Sequence, residues 1–267
     1  MRVLFIAEIV GKEGVYCVKN ILPGLTEELN TDFVVANGDG ATGGLGIGKS
    51  HAIYLRKLGV DAITGGDWIF YKKDMVEHID KAPYILRPAN FPPEAPGRGY
   101  FVFKKEEKTL AVVSLIGQSG FNRIHGSNPF TYLPTIIERV KNQTPHIIVD
   151  FHANTTAEKY TMFHIADGLA SAVIGTGTRV PTADAHITKG KTAVICDAGR
   201  TGSQQSVQGF EPEAEIYKLV NALPARNHTT WEKPALRGIL VETDAEGRAI
   251  NIETIYRECT PPTENEH

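Results

Sequence analysis

The sequence predicts an α/β fold in which parallel strands alternate with helices, and three observations carry that expectation. Short apolar runs recur at 3–7 (VLFIA), 33–36 (FVVA), 60–64 (VDAIT), 147–151 (IIVDF) and 172–174 (AVI), and runs of this length bounded by turn residues read as buried strands. Between them lie segments with apolar residues at helical spacing, an alternation that builds right-handed βαβ units with helices on both faces. The runs also end alike: Glu8 follows the first, Asn37-Gly38-Asp39 the second, Gly65-Gly66-Asp67 the third, His152 the fourth and Gly175-Thr176-Gly177-Thr178-Arg179 the fifth. In open α/β sheets the ligand crevice lies outside the carboxyl ends of the strands, so these residues mark the expected site.

Taken in order, the first strand is followed by an expected turn at Gly11 to Gly14. Residues 15–30 then place Val18, Ile21, Leu22, Leu25 and Leu29 at helical spacing, with Pro23 expected to kink or split that helix. After the second strand, residues 38–48 (GDGATGGLGIG) hold six of the 26 glycines and must turn sharply or admit a ligand to the backbone. A helix is expected over 49–58, stopped by Gly59, and another over 72–79. A short run at 84–86 leads into 87–99 (RPANFPPEAPGRG). We expect an ordered loop there rather than a linker, because 100–103 and 110–115 look like paired strands across the charged turn 104–108. Residues 117–134 are loop-like in composition, and 135–142 and 157–164 are helical. A strand at 191–196 ends at Asp197-Ala198-Gly199, a helix covers 214–223, and 236–242 with 249–256 read as a hairpin around 244–247. The tail 260–267 is expected to fray.

A chain of 267 residues accommodates one large α/β domain or two small ones and buries a substantial core. Its 42% hydrophobic and 22% charged content is ordinary for globular proteins. A net charge of −3 gives no electrostatic reason to expect nucleic acid or an anionic membrane as partner, although a small phosphate-bearing ligand depends only on local charge. Cys17, Cys196 and Cys259 are odd in number and far apart, which fits neither a disulfide framework nor a zinc knuckle and favours a reducing, cytoplasmic setting. The apolar run at 3–7 is too short for a signal-peptide core or a membrane span.

A single carboxylate at a strand end is as readily a helix N-cap as a functional group. Glu8, Asp39 and Asp67 together, with His152 on another strand, are harder to dismiss, because like charges in one pocket destabilise one another unless a cation or proton lies between them. Either a metal or Arg179 can supply that positive charge, and oxygen ligands with one imidazole suit manganese, magnesium or zinc-like ions. A nucleophile reading is weaker: the chain has no G-x-S-x-G elbow, and Cys17 falls in a predicted helix as a core residue does. Residues 43–50 (GGLGIGKS) fit the G-x-x-x-x-G-K-S string of a phosphate-binding loop, but such a loop comes straight off a strand, and here Gly38-Asp39-Gly40 intervenes.

The succession MRVLFIAEIVGKEG, FVVANGDGATGG, AITGGDW, LRPANFPPEAPGRGY, VDFHANTTAEK, AVIGTGTRVPTADAHI and AVICDAGRTG, in this order to about residue 257, resembles the YmdB-like branch of the calcineurin-like metallophosphoesterases. The resemblance implies a single domain over 1–257 with a flexible tail at 258–267. It also implies a four-layer α/β/β/α sandwich, a pair of metals at the strand ends, and phosphodiesterase activity on cyclic nucleotides such as 2′,3′-cyclic AMP. The family's site motifs are met unevenly. Its G-D-I-V-G becomes Ala7-Glu8-Ile9-Val10-Gly11, its N-G-E-N becomes Asn37-Gly38-Asp39-Gly40, and its G-N-H becomes Gly66-Asp67-Trp68, with Trp68 where the family has its general-acid histidine. D-F-H-A is intact and keeps His152. G-T-H-T-H-V becomes Gly175-Thr176-Gly177-Thr178-Arg179-Val180, and Arg200 stands where the family has an apolar residue.

The expected metal set is therefore Glu8, Asp39, Asp67 and His152, with ligands lost at Gly40, Gly177 and Arg179. Arg179 and Arg200 are expected to compensate charge or contact a ligand, because a guanidinium binds carboxylates or phosphate but cannot ligate a metal. We expect one divalent metal (Mn, Fe, Mg or Zn), or none if Arg179 replaces it. The expected protein is a weak or inactive phosphodiesterase that binds a small phosphate-containing ligand or a partner. The alternative is an active phosphodiesterase with one atypical metal, for which His186 is a proton donor only if the 181–186 loop folds back. A homo-oligomer is expected, without a membrane or nucleic-acid partner.

Overall fold

The computed structural model describes residues 1–121 and 126–262. Part of the expected loop 117–134 and of the expected frayed tail lies outside the described residues. The chain opens with β1 (Arg2–Ile6) and the two-residue β2 (Glu8–Ile9), then α1 (Gly11–Glu28), β3 (Phe33–Asn37), α2 (Lys49–Lys57), β4 (Ala62–Thr64), α3 (Lys73–His78) and β5 (Ile85–Leu86). Next come β6 (Tyr100–Lys105), β7 (Lys108–Ile116), α4 (Pro129–Val140), β8 (Ile147–His152), α5 (Thr156–Ala166), β9 (Ala172–Thr176), β10 (His186–Ile187) and β11 (Ala193–Ile195). The chain then forms β12 (Arg200–Ser203), α6 (Pro212–Asn221), and the hairpin of β13 (Pro234–Thr243) and β14 (Ala249–Glu258).

These strands form two sheets. One runs β2-β12-β13-β1-β3-β4-β5 with β14 on the far side of β13, and the other runs β10-β11-β9-β8-β7-β6. β1, β3, β4 and β5 are mutually parallel, as are β7, β8, β9 and β11, so each sheet has a block of strands whose carboxyl ends share an edge. The period-two alternation of side chains sorts the core into three layers of contact. Leu4, Ile6, Val34 and Ala36 face α1, α2 and α3. Val3, Phe5, Phe33 and Val35 face Leu110, Val112, Ile148 and Ile174 of the other sheet. Ile147, Val149 and Phe151 face α4 and α5. The result is the expected four-layer α/β/β/α sandwich. Among the described residues no helix is long and apolar enough to cross a membrane.

Some local expectations change. Gly11 to Gly14 form the first turn of α1 rather than a separate turn, and α1 is one helix across Pro23. Proline removes the amide that would bond the Lys19 carbonyl, and with both residues exposed, water can satisfy that carbonyl. α4 starts at Pro129 instead of 135, because Pro suits the first helical position and the Asn128 side chain accepts from Phe130 N at 2.9 Å. The 87–99 loop is ordered as expected: Arg87 is buried and donates to the carbonyls of Pro88 (2.9 Å), Ala95 (3.3 Å) and Pro96 (3.2 Å). The expected boundary at 257/258 falls within β14, which reaches Glu258, and Cys259 beyond it is buried. β2, β10 and β12 have no counterpart in the sequence reading, being only two to four residues long.

Candidate functional site

The two parallel blocks bring their carboxyl ends to one cleft of about 500 Å³, lined by Glu8, Asp67, Trp68, His152, Gly177 and Arg179 among others. β3 delivers Asp39, β4 delivers Asp67, and β8, from the other sheet, delivers His152. One ligand atom from each of these three lies within 4.8 Å of the others, a grouping that can hold a metal ion. His152 Nε2 is 3.1 Å from Asp67 Oδ1 and 3.9 Å from Asp39 Oδ2. Asp39 is fully buried and anchors the loop after β4, accepting from Gly66 N at 2.6 Å and Trp68 N at 3.1 Å. Position 66 admits no side chain: a Cβ there would lie 2.5 Å from the His152 ring.

His152 is oriented from behind. Asp150, two residues earlier on β8, points between the sheets, where Asn37 Nδ2 (2.8 Å), Thr64 Oγ1 (2.5 Å) and Thr176 Oγ1 (2.7 Å) donate to it. Thr176 spends its one proton on Asp150, so its oxygen accepts from His152 Nδ1 at 3.1 Å. That fixes Nδ1 as the protonated nitrogen and turns Nε2 toward the two carboxylates. Burial alone would depress the imidazole, but the bond to Asp67 and the charges of Asp39 and Glu8 raise its pKa to about 9. Burial likewise pushes Asp39 well above the usual carboxylate range, with Asp67 and Glu8 adding repulsion.

Glu8 does not join this trio. Its Oε1 accepts from Arg179 Nε at 2.8 Å, with Nη2 at 2.7 Å, and both side chains are buried. The guanidinium also donates to the carbonyls of Gly44 (2.9 Å) and Gln208 (3.2 Å). A Cβ at Gly40 would come within 2.9 Å of Arg179 Nη2, so the arginine fills the space that a side chain at 40 would need. Glu8 Oε2 is buried and has no hydrogen-bond partner. Gly177 has a φ of +108°, and a Cβ there would meet the Ala153 carbonyl at 3.0 Å. The donor set therefore fits one divalent cation, on Asp39, Asp67 and His152 with the Glu8 oxygen nearby. Positions 40, 177 and 179 carry glycine, glycine and arginine, none of which offers a metal-ligating side chain.

Arg200 departs from its expected role. Among the described residues it pairs with no carboxylate, and instead donates to the carbonyls of Ser203 (2.7 Å), Arg179 (2.8 Å) and Gln204 (2.9 Å), which makes it a brace for the turn behind Arg179. His186 is exposed on β10 and its Nδ1 lies 2.7 Å from the Asp184 carbonyl, away from the cleft. The 43–50 string is no phosphate loop: the Lys49 amide that opens α2 donates to Asp74 Oδ2 at 2.9 Å, so a carboxylate takes the place a phosphate would need. Three features escaped the sequence reading. One is the Thr176–Asp150 support of His152, signalled only by an Asp inside an apolar run. Another is the placement of the expected helix 214–223: as α6 it brings Glu215 and Lys218 to the cleft wall. The third is the buried pair Lys159 Nζ–Asp197 Oδ2 at 2.8 Å, whose carboxylate also takes Thr178 N and Thr178 Oγ1 and so pins the turn that carries Arg179.

A two-sheet α/β/β/α sandwich with carboxylates and a histidine gathered where its strands end is a metallophosphoesterase fold, a class that works with divalent metal ions. By sequence profile, residues 4–255 match "YmdB-like protein", and the chain belongs to that family. It is 37% identical over 256 residues, 96% of each chain, to the 2′,3′-cyclic-nucleotide 2′-phosphodiesterase of Bacillus subtilis (strain 168). Among solved structures it resembles a novel phosphatase from Mycoplasma pneumoniae, with a TM-score of 0.90, 29% identity, and coverage of 97% of this chain and 93% of that one. The 5′-nucleotidase precursor of Thermus thermophilus shares the fold at a TM-score of 0.59 and 10% identity, over 96% of this chain and 54% of that one.

Proposed function

We propose that this chain is a YmdB-like protein with a reduced metal centre, which binds a phosphate ester and at most one divalent cation and turns its ligand over slowly or not at all. The observation that carries this reading is the Arg179–Glu8 pair, lodged where a side chain at position 40 would stand. A guanidinium supplies one fixed positive charge and orders no water for attack. A divalent cation, when bound, polarises a phosphoryl oxygen and brings the pKa of its water toward neutrality. The protein's own part is then to offer Asp39, Asp67 and His152, with Thr176 holding the imidazole in one tautomer. Trp68 offers only an indole N–H, which donates a hydrogen bond but releases no proton at neutral pH, so the leaving group has no acid at that position. Cys17, Cys196 and Cys259 are all free thiols, even though the fold brings Cys17 beside Cys259, and this supports a cytoplasmic setting as part of the same reading.

A second reading, an active phosphodiesterase with a single metal acting on cyclic nucleotides of the 2′,3′-cyclic AMP type, is favoured by the compact trio and by the activity for which the Bacillus subtilis relative is named. Elemental analysis after incubation with excess Mn²⁺ decides between them when combined with turnover of 2′,3′-cyclic AMP. We expect no more than one metal per chain and negligible hydrolysis, and His152→Ala should lose the metal. Two metals per chain, or rapid hydrolysis, would refute the reduced centre. Hydrolysis that survives His152→Ala unchanged would sink the second reading.

Metal uptake will depend on pH. His152 must shed its proton to ligate, and its pKa of about 9 lies above the ordinary 6.5. Apparent Mn²⁺ affinity is expected to rise roughly tenfold per pH unit from about pH 7 to 9, more steeply below about 7 where Asp39 must also lose a proton, and then to level off. The metal-free protein behaves oppositely. A folded pKa above the unfolded one means that stability from the His152 cation is fully present below about pH 6.5 and lost as pH rises through about 9. The raised Asp39 acts in the same direction. Calorimetric Mn²⁺ titrations at pH 6.5, 7.5 and 8.5 would show the trend, and a flat affinity would mean that another group binds the ion.

A further inference from the structure

Beside the acidic cleft lies a second cavity of about 600 Å³, and the two adjoin across the shared walls Leu45, Phe210, Lys218 and Asn227. Their charges differ. The first sets Glu8, Asp67 and Glu215 against Arg179, His152 and Lys218, whereas the second is lined by Lys72, Lys218, Arg226 and His228 and, among the described residues, by no carboxylate. Lys218 is shared charge, since its Nζ pairs with Glu215 Oε1 at 2.6 Å. Lys72 and Arg226 are not shared: among the described residues no carboxylate pairs with either. Lys72 lies over the Tyr71 ring with Nζ 4.9 Å from its centroid, and Tyr71 meets Trp68 edge-on at 5.2 Å, so an aromatic wall joins the cation to the acidic cleft. On a chain of net charge −3, a cavity that collects cations without acids is a local feature with its own ligand chemistry.

We infer that the Lys72–Lys218–Arg226 cavity is a subsite for a second phosphate of the ligand, so that the preferred ligand is a phosphate ester carrying another phosphate rather than a cyclic mononucleotide. The inference rests on the reading of the acidic cleft as a phosphate-ester site and names what lies beyond it. Two sources share this chemistry: a small nucleoside bisphosphate, and the cyclic-phosphate end of an oligoribonucleotide, whose next phosphate follows along the chain. Phe210 and Leu45 at the junction give the sugar or base an apolar surface to cross, and the cations hold the phosphate on the far side.

The test is calorimetric binding in Mn²⁺ buffer, without reliance on turnover. The probes are 2′,3′-cyclic AMP, the same nucleotide bearing a 5′-phosphate, and a trinucleotide ending in a 2′,3′-cyclic phosphate. The 5′-phosphate is expected to tighten binding about tenfold, the effect of one added charge-assisted contact. Arg226→Ser and Lys72→Gln, neither of which lines the acidic cleft, should erase that gain while leaving 2′,3′-cyclic AMP binding unchanged. Further tightening with the trinucleotide would assign the subsite to an RNA end, and equal affinity would assign it to a small bisphosphate. Equal binding of cyclic AMP with and without the 5′-phosphate would overturn the subsite and leave the reading of the acidic cleft intact. If cyclic AMP does not bind at all, that reading fails, and a pyrophosphate titration judges the cavity alone: binding abolished by Arg226→Ser supports it, and no binding overturns it.

Discussion

Replacing Arg179 by methionine is expected to destabilise the protein by about 3–5 kcal/mol, the cost of stripping the partner from a buried charge. Glu8 Oε1 would lose both of its contacts to the guanidinium, at 2.8 and 2.7 Å, while Oε2 already lacks a partner. Urea unfolding at neutral pH reads the loss. The partner variant Glu8→Gln provides the control, since the double variant leaves no unpaired carboxylate at position 8 and should recover much of the stability. Excess Mn²⁺ should also stabilise Arg179→Met more than the native protein, because the vacated space returns Glu8 to the metal cluster as an oxygen donor. If Arg179→Met is as stable as the native chain and binds no more metal, the arginine is not the counter-ion of this centre.

Lys159→Met is expected to cost a similar amount, about 3–5 kcal/mol, because Asp197 would be left buried without its cation. The pair is separated by 2.8 Å and both members are buried. The effect should reach the site, because the Asp197 carboxylate holds Thr178 N at 3.0 Å and Gly199 N at 2.8 Å, on either side of the turn that presents Arg179 at a φ of +60°. A non-glycine residue in that conformation persists only where its surroundings hold it there. Amide exchange at 177–180 should therefore quicken in Lys159→Met by more than global unfolding explains. Asp197→Asn in the same chain should restore part of the stability. Unchanged exchange across that turn would reduce the pair to a purely local role.

Much of this was legible in the residues themselves. Strand placement followed from apolar runs such as VLFIA and IIVDFH, and the position of the site followed from what each run delivers at its carboxyl end. Both properties are local: burial selects the run, and strand direction places the next residue. The YmdB-like motifs added the second sheet and marked the positions at which this chain departs from the family pattern. Elements of two to four residues, such as β2 and β12, were not legible, because so short a stretch carries no period.

What the sequence alone determined, then, is the layered fold and the edge where Glu8, Asp39, Asp67, His152 and Arg179 lie, with glycine at positions 40 and 177. Tertiary structure decided how those groups pair. Glu8 leaves the cluster for Arg179, a partner 171 positions away, and Arg200 turns to carbonyls instead of charge. Asp150 becomes the hidden support of His152 because Asn37, Thr64 and Thr176 converge on it from neighbouring strands. Pairing of charges depends on separations of a few ångströms between residues far apart in the chain, since both Coulomb attraction and desolvation change steeply over that distance. A linear sequence names the charges, and only the packed sheets set the distances between them.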